Sequence, residues 1–279
     1  MTTARPTGTR NKSRCRSMAI GLVMVIGLTA CGDTTSNEDE TADATGSTET
    51  TATSSPTASV RELEGGRLEP GRYRDVLEVS CDDAPVPCPE GPHPSLGIEL
   101  TVPDGWGAAT EYQLIHPAIA GAADTSLATG GPDGAGLVLG WATIWVGLNS
   151  DPCVPIGHPT GHLTPDIYVG PTVNDFVDAV VAHPTLEVSE PTDVTIGGYD
   201  GLSFTLTAPS NLSGCDFWRP WDPGIYAQGP GNIWDVSALD IDGLRFVIVA
   251  QHFPDTPDEL RRELGEMVDS MTFEPGAAA

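Results

Sequence analysis

The sequence predicts an α+β domain, a mainly antiparallel β-sheet flanked by helices, carried behind a signal segment and a flexible linker. Three observations lead there. Between residues 61 and 279, apolar residues alternate with polar ones in several short runs, and Gly-Gly or Asp-Gly pairs separate some of them, the pattern of hairpin-linked strands. Two further runs, opening at Thr172 and Thr256, repeat at helical spacing instead. Ahead of all of these, residues 1–30 are basic and then apolar, while residues 31–60 hold no aromatic and, Val60 apart, no large apolar residue.

Arg5, Arg10, Lys12, Arg14 and Arg16 form a basic opening without an acid, and Met18 to Ala30 form an apolar run of signal-peptide length, too short to span a bilayer as a helix. It closes on Leu28-Thr29-Ala30-Cys31, which resembles the lipobox of bacterial lipoproteins. That resemblance implies cleavage just before Cys31, a diacylglyceryl thioether with palmitate-type chains on its sulfur, and a mature chain anchored by lipid at the extracytoplasmic face of the cell membrane. Residues 31–60 then read as the anchored linker, an acidic, Thr/Ser/Ala-rich stalk that cannot bury enough apolar surface to fold.

Residues 61–279 are enough for one domain with a real core, and no period of repeat length runs through them. The chain holds 13 basic and 39 acidic residues; five of the basic ones lie in the signal, so eight remain against 39 and the mature charge is −31. Such a surface repels phosphate backbones and anionic headgroups, which excludes nucleic acid as a partner and leaves the lipid as the means of membrane attachment. The sole lysine, Lys12, lies in the signal, so Schiff-base and phosphate-loop lysines are excluded from the mature protein. Cys15 is discarded and Cys31 takes lipid, leaving Cys81, Cys88, Cys153 and Cys215 in an oxidising compartment. Four cysteines allow three pairings. Cys81–Cys88 within one Pro-rich loop, with Cys153–Cys215, is the expected one; free thiols are the alternative.

In chain order, Gly71 to Arg74 is a first short strand, and Ile98, Leu100 and Val102 alternate with Glu99 and Thr101 up to a turn at Pro103-Asp104-Gly105, beyond which Trp106 folds back on the core. Tyr112 to Ile115 is a weaker strand. Leu137 to Gly147, apolar on both faces, is expected to be one central strand. Thr172 caps a helix through Phe176 and Val180 that Pro184 stops, with Asp175 at its third position. Leu186 to Ser189 is a short extended piece. Val194 to Ile196 and Leu202 to Leu206 form a hairpin about Gly197-Gly198, and Ile233 to Leu239 and Leu244 to Ala250 a second about Asp242-Gly243. Thr256 and Pro257 open a last helix through Leu260, Leu264, Met267 and Met271, on which the chain ends.

The order in which PDGW follows an early strand, FVDAVVAHP precedes VSEPTDVTIGG, and GLRFVIVAQ feeds a helix ending VDSMTF resembles a group of actinobacterial lipoproteins. Their fold is similar to the PsbP-like α/β/α sandwich of the LpqN-type lipoproteins, and the resemblance covers roughly residues 68 to 274. It implies a non-enzymatic binding or accessory module for a cell-envelope component or membrane protein. It carries over no catalytic or cofactor residue.

The chemistry of the side chains agrees with that reading. No G-x-S-x-G, H-E-x-x-H, C-x-x-C or S-x-x-K motif occurs in the mature chain. His158 and His162, with Asp151 and Asp166 nearby, have metal-like spacing, but Pro159 and Gly161 argue for a loop with solvent-facing imidazoles. Asp240 and Asp242 read as a turn rather than calcium ligands, and Gly130 to Gly136 as a turn rather than a phosphate cradle. No cofactor or metal site is therefore expected. The alternative is a cell-surface hydrolase or metal-dependent enzyme with its site in the long loops. The expected binding face is Cys215 to Trp234, where Phe217, Trp218, Trp221, Tyr226 and Trp234 accompany Arg219. Rings with a guanidinium suit stacking on sugars or anchoring a protein partner. The opposing reading folds these rings inward to cap the sheet.

Overall fold

The computed structural model describes residues 59–78, 95–110, 113–116, 134–142, 146–158, 164–222 and 224–276. The signal, Cys31, the linker, Cys81, Cys88, Tyr112, Trp145 and His162 lie outside the described residues.

The strands, in order, are β1 Arg61–Glu62, β2 Gly66–Arg67, β3 Gly71–Glu78, β4 Ser95–Val102, β5 Gly107–Thr110, β6 Gln113–His116, β7 Ala135–Ala142, β8 Val146–Leu148, β9 Cys153–Pro155 and β10 Ile167–Val169. After helix α1, Val173–Val181, come β11 Glu187–Val188, β12 Thr192–Ile196, β13 Tyr199–Thr207, β14 Cys215–Trp218, β15 Trp221–Asp222, β16 Ile233–Ile241 and β17 Leu244–His252. Helix α2, Asp258–Asp269, precedes β18, Thr272–Pro275.

A central sheet runs β11-β13-β16-β17-β7-β6-β5-β2, with β12 also on β13, and its pairings are antiparallel. The fold is therefore α+β and mainly antiparallel. Strand alternation gives the sheet two apolar faces, each with its own core. Leu239, Ile241, Phe246, Ile248 and Ala250 face one core, together with Leu264 and Met267 of α2 and with Leu96, Ile98, Leu100 and Val102 of β4. Trp234, Val236, Ala238, Val247 and Val249 face the other, with Phe176, Val177 and Val180 of α1 and with Val146, Leu148, Trp218 and Trp221. The result is three layers. The sheet β1-β3-β4-β18 and α2 cover one face, and α1 with the small sheet β10-β8-β15 covers the other.

Local chemistry fixes the main elements. At α1, Thr172 Oγ1 accepts from the Asp175 N–H (3.1 Å) and Asp175 Oδ2 accepts from the Thr172 N–H (3.0 Å), a reciprocal capping box. Between β16 and β17, Asp242 (φ 54°) and Gly243 (φ 86°) are both left-handed, the backbone a two-residue hairpin turn requires, and Asp240 Oδ1 accepts from the Gly243 N–H at 2.7 Å. Trp106, fully buried, donates from Nε1 to Glu263 Oε2 at 2.7 Å and so ties the turn before β5 to α2.

Three expectations need correction. The run Leu137 to Gly147 is two strands in different sheets: β7 ends at Ala142 in the central sheet, and β8 starts at Val146 in the sheet beneath α1. Gly140 sits at φ 125° where a Cβ would run into the Phe246 ring and the Val247 carbonyl, beside a register shift between Val247 and Val249. The shift sets one extra residue of β7 against β17. The chain also does not end on α2, since β18 pairs with β4, setting Phe273 opposite Ile98 and edge-on to Phe246 (centroids 5.4 Å). Thr256 does not cap α2 through its side chain. Its hydroxyl donates to the Gly134 carbonyl (2.8 Å) and accepts from the Phe253 N–H (2.9 Å), pinning the turn between β17 and α2, while Pro257 takes the N-cap position.

Candidate functional site

The aromatic stretch divides between interior and surface. Trp218, Trp221 and Trp234 are 3%, 1% and 0% exposed, so they are not part of a solvent-facing platform. Trp234 meets Trp218 (5.7 Å) and Trp221 (5.4 Å) edge-on, and Trp221 meets Phe176 of α1 at 5.4 Å. The physical reason is coverage. Helix α1 spans only nine residues and cannot cap its face of the sheet alone. The indoles fill the remainder, and each removes a large apolar area from water. Trp234 Nε1 finds its partner inside, donating to Asn232 Oδ1 at 2.7 Å, while Asn232 Nδ2 donates to the His252 carbonyl at 3.0 Å.

Arg219 is also structural. Its Nη2 donates to the Gly224 carbonyl (2.8 Å) and pairs with Asp222 (2.7 Å), which closes the loop after β14 on itself. Of the six residues expected to bind, Phe217 and Tyr226 keep accessible rings. Phe217 is 36% exposed, Tyr226 is half-buried, and their centroids lie 4.8 Å apart.

These two rings flank an open groove of about 280 Å³. Leu212, Asp216, Gln228 and Pro230 line it with them. Local bonding holds the lining. The Ala227 N–H donates to the Trp218 carbonyl (2.9 Å), and Gln228 is fixed through its N–H to Asn232 Oδ1 (3.1 Å) and its Nε2 to the Tyr226 carbonyl (3.0 Å). The β9–β14 ribbon is crosslinked by a Cys153–Cys215 disulfide (Cα–Cα 5.2 Å), the pairing expected for these two cysteines. Ribbon and groove belong to the layer on the α1 side, opposite the layer that holds β1.

A second, smaller groove of about 150 Å³ lies between α2 and the sheet, lined by Asp235, Ser237, His252, Arg261, Gly265 and Asp269 among others. Its His252 and Asp235 belong to one hydrogen-bond network. His252 Nε2 faces Asp235 Oδ2 at 3.1 Å and Nδ1 faces the Phe253 carbonyl at 3.3 Å, so both ring nitrogens have protein partners, and Thr205 Oγ1 donates to Asp235 Oδ1 at 2.9 Å. Burial pushes the Asp235 carboxyl up, but the hydrogen bonds from His252 and Thr205 outweigh it and hold it below the ordinary 3.8. A carboxyl depressed on folding stabilises the fold above its unfolded value and loses that contribution as pH falls through the lower folded one. Acid titration of Asp235→Asn should therefore show a shallower loss of stability below about pH 4 than the parent. Superimposable acid limbs would contradict this role.

His183 and Arg245 are among the buried polar residues that the sequence pattern does not single out. His183, at the end of α1, faces the Asn149 carbonyl through Nε2 (3.0 Å) and accepts from the Thr185 N–H through Nδ1 (3.3 Å), which ties the helix end to the loop after β8. Arg245, 2% exposed, donates from Nη1 to the Thr172 carbonyl (3.0 Å) and to that of Gly170, and its guanidinium lies over Phe176 (5.6 Å). Burial pushes its pKa down to about 10. A histidine before a proline and an arginine inside an apolar strand were the available signals. Asp151 and Asp166, the acids considered beside His158, are engaged by backbone: Asp151 Oδ1 accepts from the Cys153 N–H (3.0 Å) and Asp166 Oδ1 from the Ser150 N–H (2.7 Å). Among the described residues no group of three His, Cys, Asp or Glu could hold a metal ion, and no helix is long and apolar enough to cross a membrane.

No protein-family model matches the chain, and no curated protein matches it. Among solved structures it is similar to one described as "Crystal structure of LpqN involved in cell envelope biogenesis of Mycobacterium tuberculosis", with a TM-score of 0.33 and 14% identity over 72% of this chain and 91% of that chain.

Proposed function

We infer that this chain is a lipid-anchored, extracytoplasmic lipoprotein whose domain acts as a non-catalytic binding or accessory module for a cell-envelope component or membrane protein, with the Phe217–Tyr226 groove as its binding face. The observation that carries the reading is the division of labour among side chains. His183 and His252 have both ring nitrogens committed to protein groups, whereas the groove offers rings, an amide and a carboxylate on a crosslinked ribbon. Such a surface recognises, and its ordering is already provided by the disulfide, which lowers the entropy lost on binding. The anchor rests on the basic opening, the apolar run and Cys31 in that order.

Membrane fractionation of the full chain tests the anchor. The parent should partition into the detergent phase, and Cys31→Ala should be released or remain uncleaved; a correctly processed Cys31→Ala chain that still partitions into detergent contradicts it. Native mass spectrometry, after dialysis against a chelator and with or without added zinc, tests the non-catalytic role. The mass should be that of the chain throughout. One zinc, removed by the chelator and restored on addition, would favour a metal-dependent enzyme instead.

A further inference from the structure

We propose that the Phe217–Tyr226 groove is a docking site for a positively charged side chain, above all arginine, presented by a segment of a partner protein; this rests on the binding-module reading and specifies its ligand.

The lining carries one kind of charge. Asp216 is acidic, the other groove residues are neutral, and Arg219, the nearest cation along β14, is turned away into its bonds with Gly224 and Asp222. The carboxylate is held in place, because Asp216 Oδ2 accepts from the Gly157 N–H at 3.2 Å. Beside it, Phe217 leans at 55° on Tyr226 and keeps 36% of its surface open. The face of an aromatic ring is electron-rich and attracts cations, and a carboxylate next to it adds a point charge of the same sign. Arginine suits the pair better than lysine, since its planar, weakly hydrated guanidinium can lie on a ring while its edge donates to a carboxylate.

One further feature extends the site to a peptide rather than a free cation. Ile156, 67% exposed, lies in the turn next to Gly157 and offers an apolar contact beside the carboxylate. Over longer range, the −31 charge of the mature chain draws basic partners toward the domain.

The test uses the full lipidated chain in neutral-detergent micelles and a dye-labelled blocked peptide, Ala-Leu-Arg-Leu-Ala, read by fluorescence anisotropy. Its counterpart has citrulline, which keeps the shape and removes the charge. The arginine peptide should bind saturably and the citrulline peptide at least about tenfold more weakly. Phe217→Ala and Asp216→Asn should each weaken the arginine peptide about five- to tenfold, with melting temperatures near that of the parent. Asp193→Asn, an exposed acid on β12, should change nothing. Asp216→Asn keeps the shape of the groove and serves if Phe217→Ala fails to fold. Equal binding of the citrulline peptide, equal weakening by Asp193→Asn, or no saturation at millimolar peptide overturns the proposal. So does saturable binding of maltotriose where the arginine peptide does not bind, which would assign the groove to sugars. None of these outcomes bears on membrane partitioning or on metal content, so failure here is distinguishable from failure of the anchored, non-catalytic reading.

Discussion

Replacing Trp234 by alanine should lower the melting temperature by about 6–20 °C. The indole is fully buried and in edge-on contact with both Trp218 and Trp221. A buried Trp lost to Ala costs about 3–5 kcal/mol, and each kcal/mol moves the midpoint of a domain this size by about 2–4 °C. The upper half of the range is expected, because Trp234 bridges the other two rings and its loss leaves a cavity at their shared centre. Asn232 would also lose its Nε1 donor, although the Gln228 N–H still reaches the same oxygen. Thermal denaturation followed by far-UV circular dichroism measures this; a change of a degree or two would show that Trp234 is not a core residue.

Removing the Cys153–Cys215 bridge, as Cys153→Ser with Cys215→Ser, should destabilise the domain by a comparable amount. The two cysteines are 62 positions apart, and the chain-entropy account gives a loop of that length about 4 kcal/mol, less any strain in the native state. The loop encloses α1, the β12–β13 hairpin and the whole segment leading to the groove, so the double variant should also expose the lining of the groove to proteolysis before the rest of the domain. Peptide mapping without reductant checks the pairing. Linkage of Cys153 or Cys215 to Cys81 or Cys88 would contradict it, and an unchanged denaturation midpoint in the double variant would show that the bridge is energetically idle.

What the sequence revealed follows the range over which each signal acts. The β16–β17 hairpin was legible because its information is local: two alternating runs about Asp242-Gly243, with the turn backbone that pair requires. The capping box at Thr172 and Asp175 is equally local. Compartment and cysteine number suggested two disulfides, and the closeness of Cys81 and Cys88 in one Pro-rich loop left Cys153 to pair with Cys215, as it does. The break within Leu137 to Gly147 was not legible, because it follows from pairing with other parts of the chain, β7 with β6 and β17, β8 with β10 and β15. Strand β18 was missed for the same reason, as Thr272 to Pro275 becomes a strand only by pairing with β4 far earlier in the chain. At the site, the sequence located the aromatic cluster but not its orientation. Strand β14 is four residues long with a bulge between Cys215 and Phe217, too short and irregular for alternation to say that Phe217 points out and Trp218 in.

The division of the aromatic stretch into a buried core and an exposed groove is tested most directly by melting Trp218→Ala and Phe217→Ala side by side. They are adjacent residues on opposite faces of one strand, 3% and 36% exposed. Trp218→Ala should lose about 3 kcal/mol or more and melt many degrees lower, while Phe217→Ala stays within about 0.5–1 kcal/mol of the parent, the scale of a surface substitution. Two unchanged midpoints would place Trp218 in solvent and restore the open aromatic platform; two large drops would put Phe217 in the core and remove the binding face.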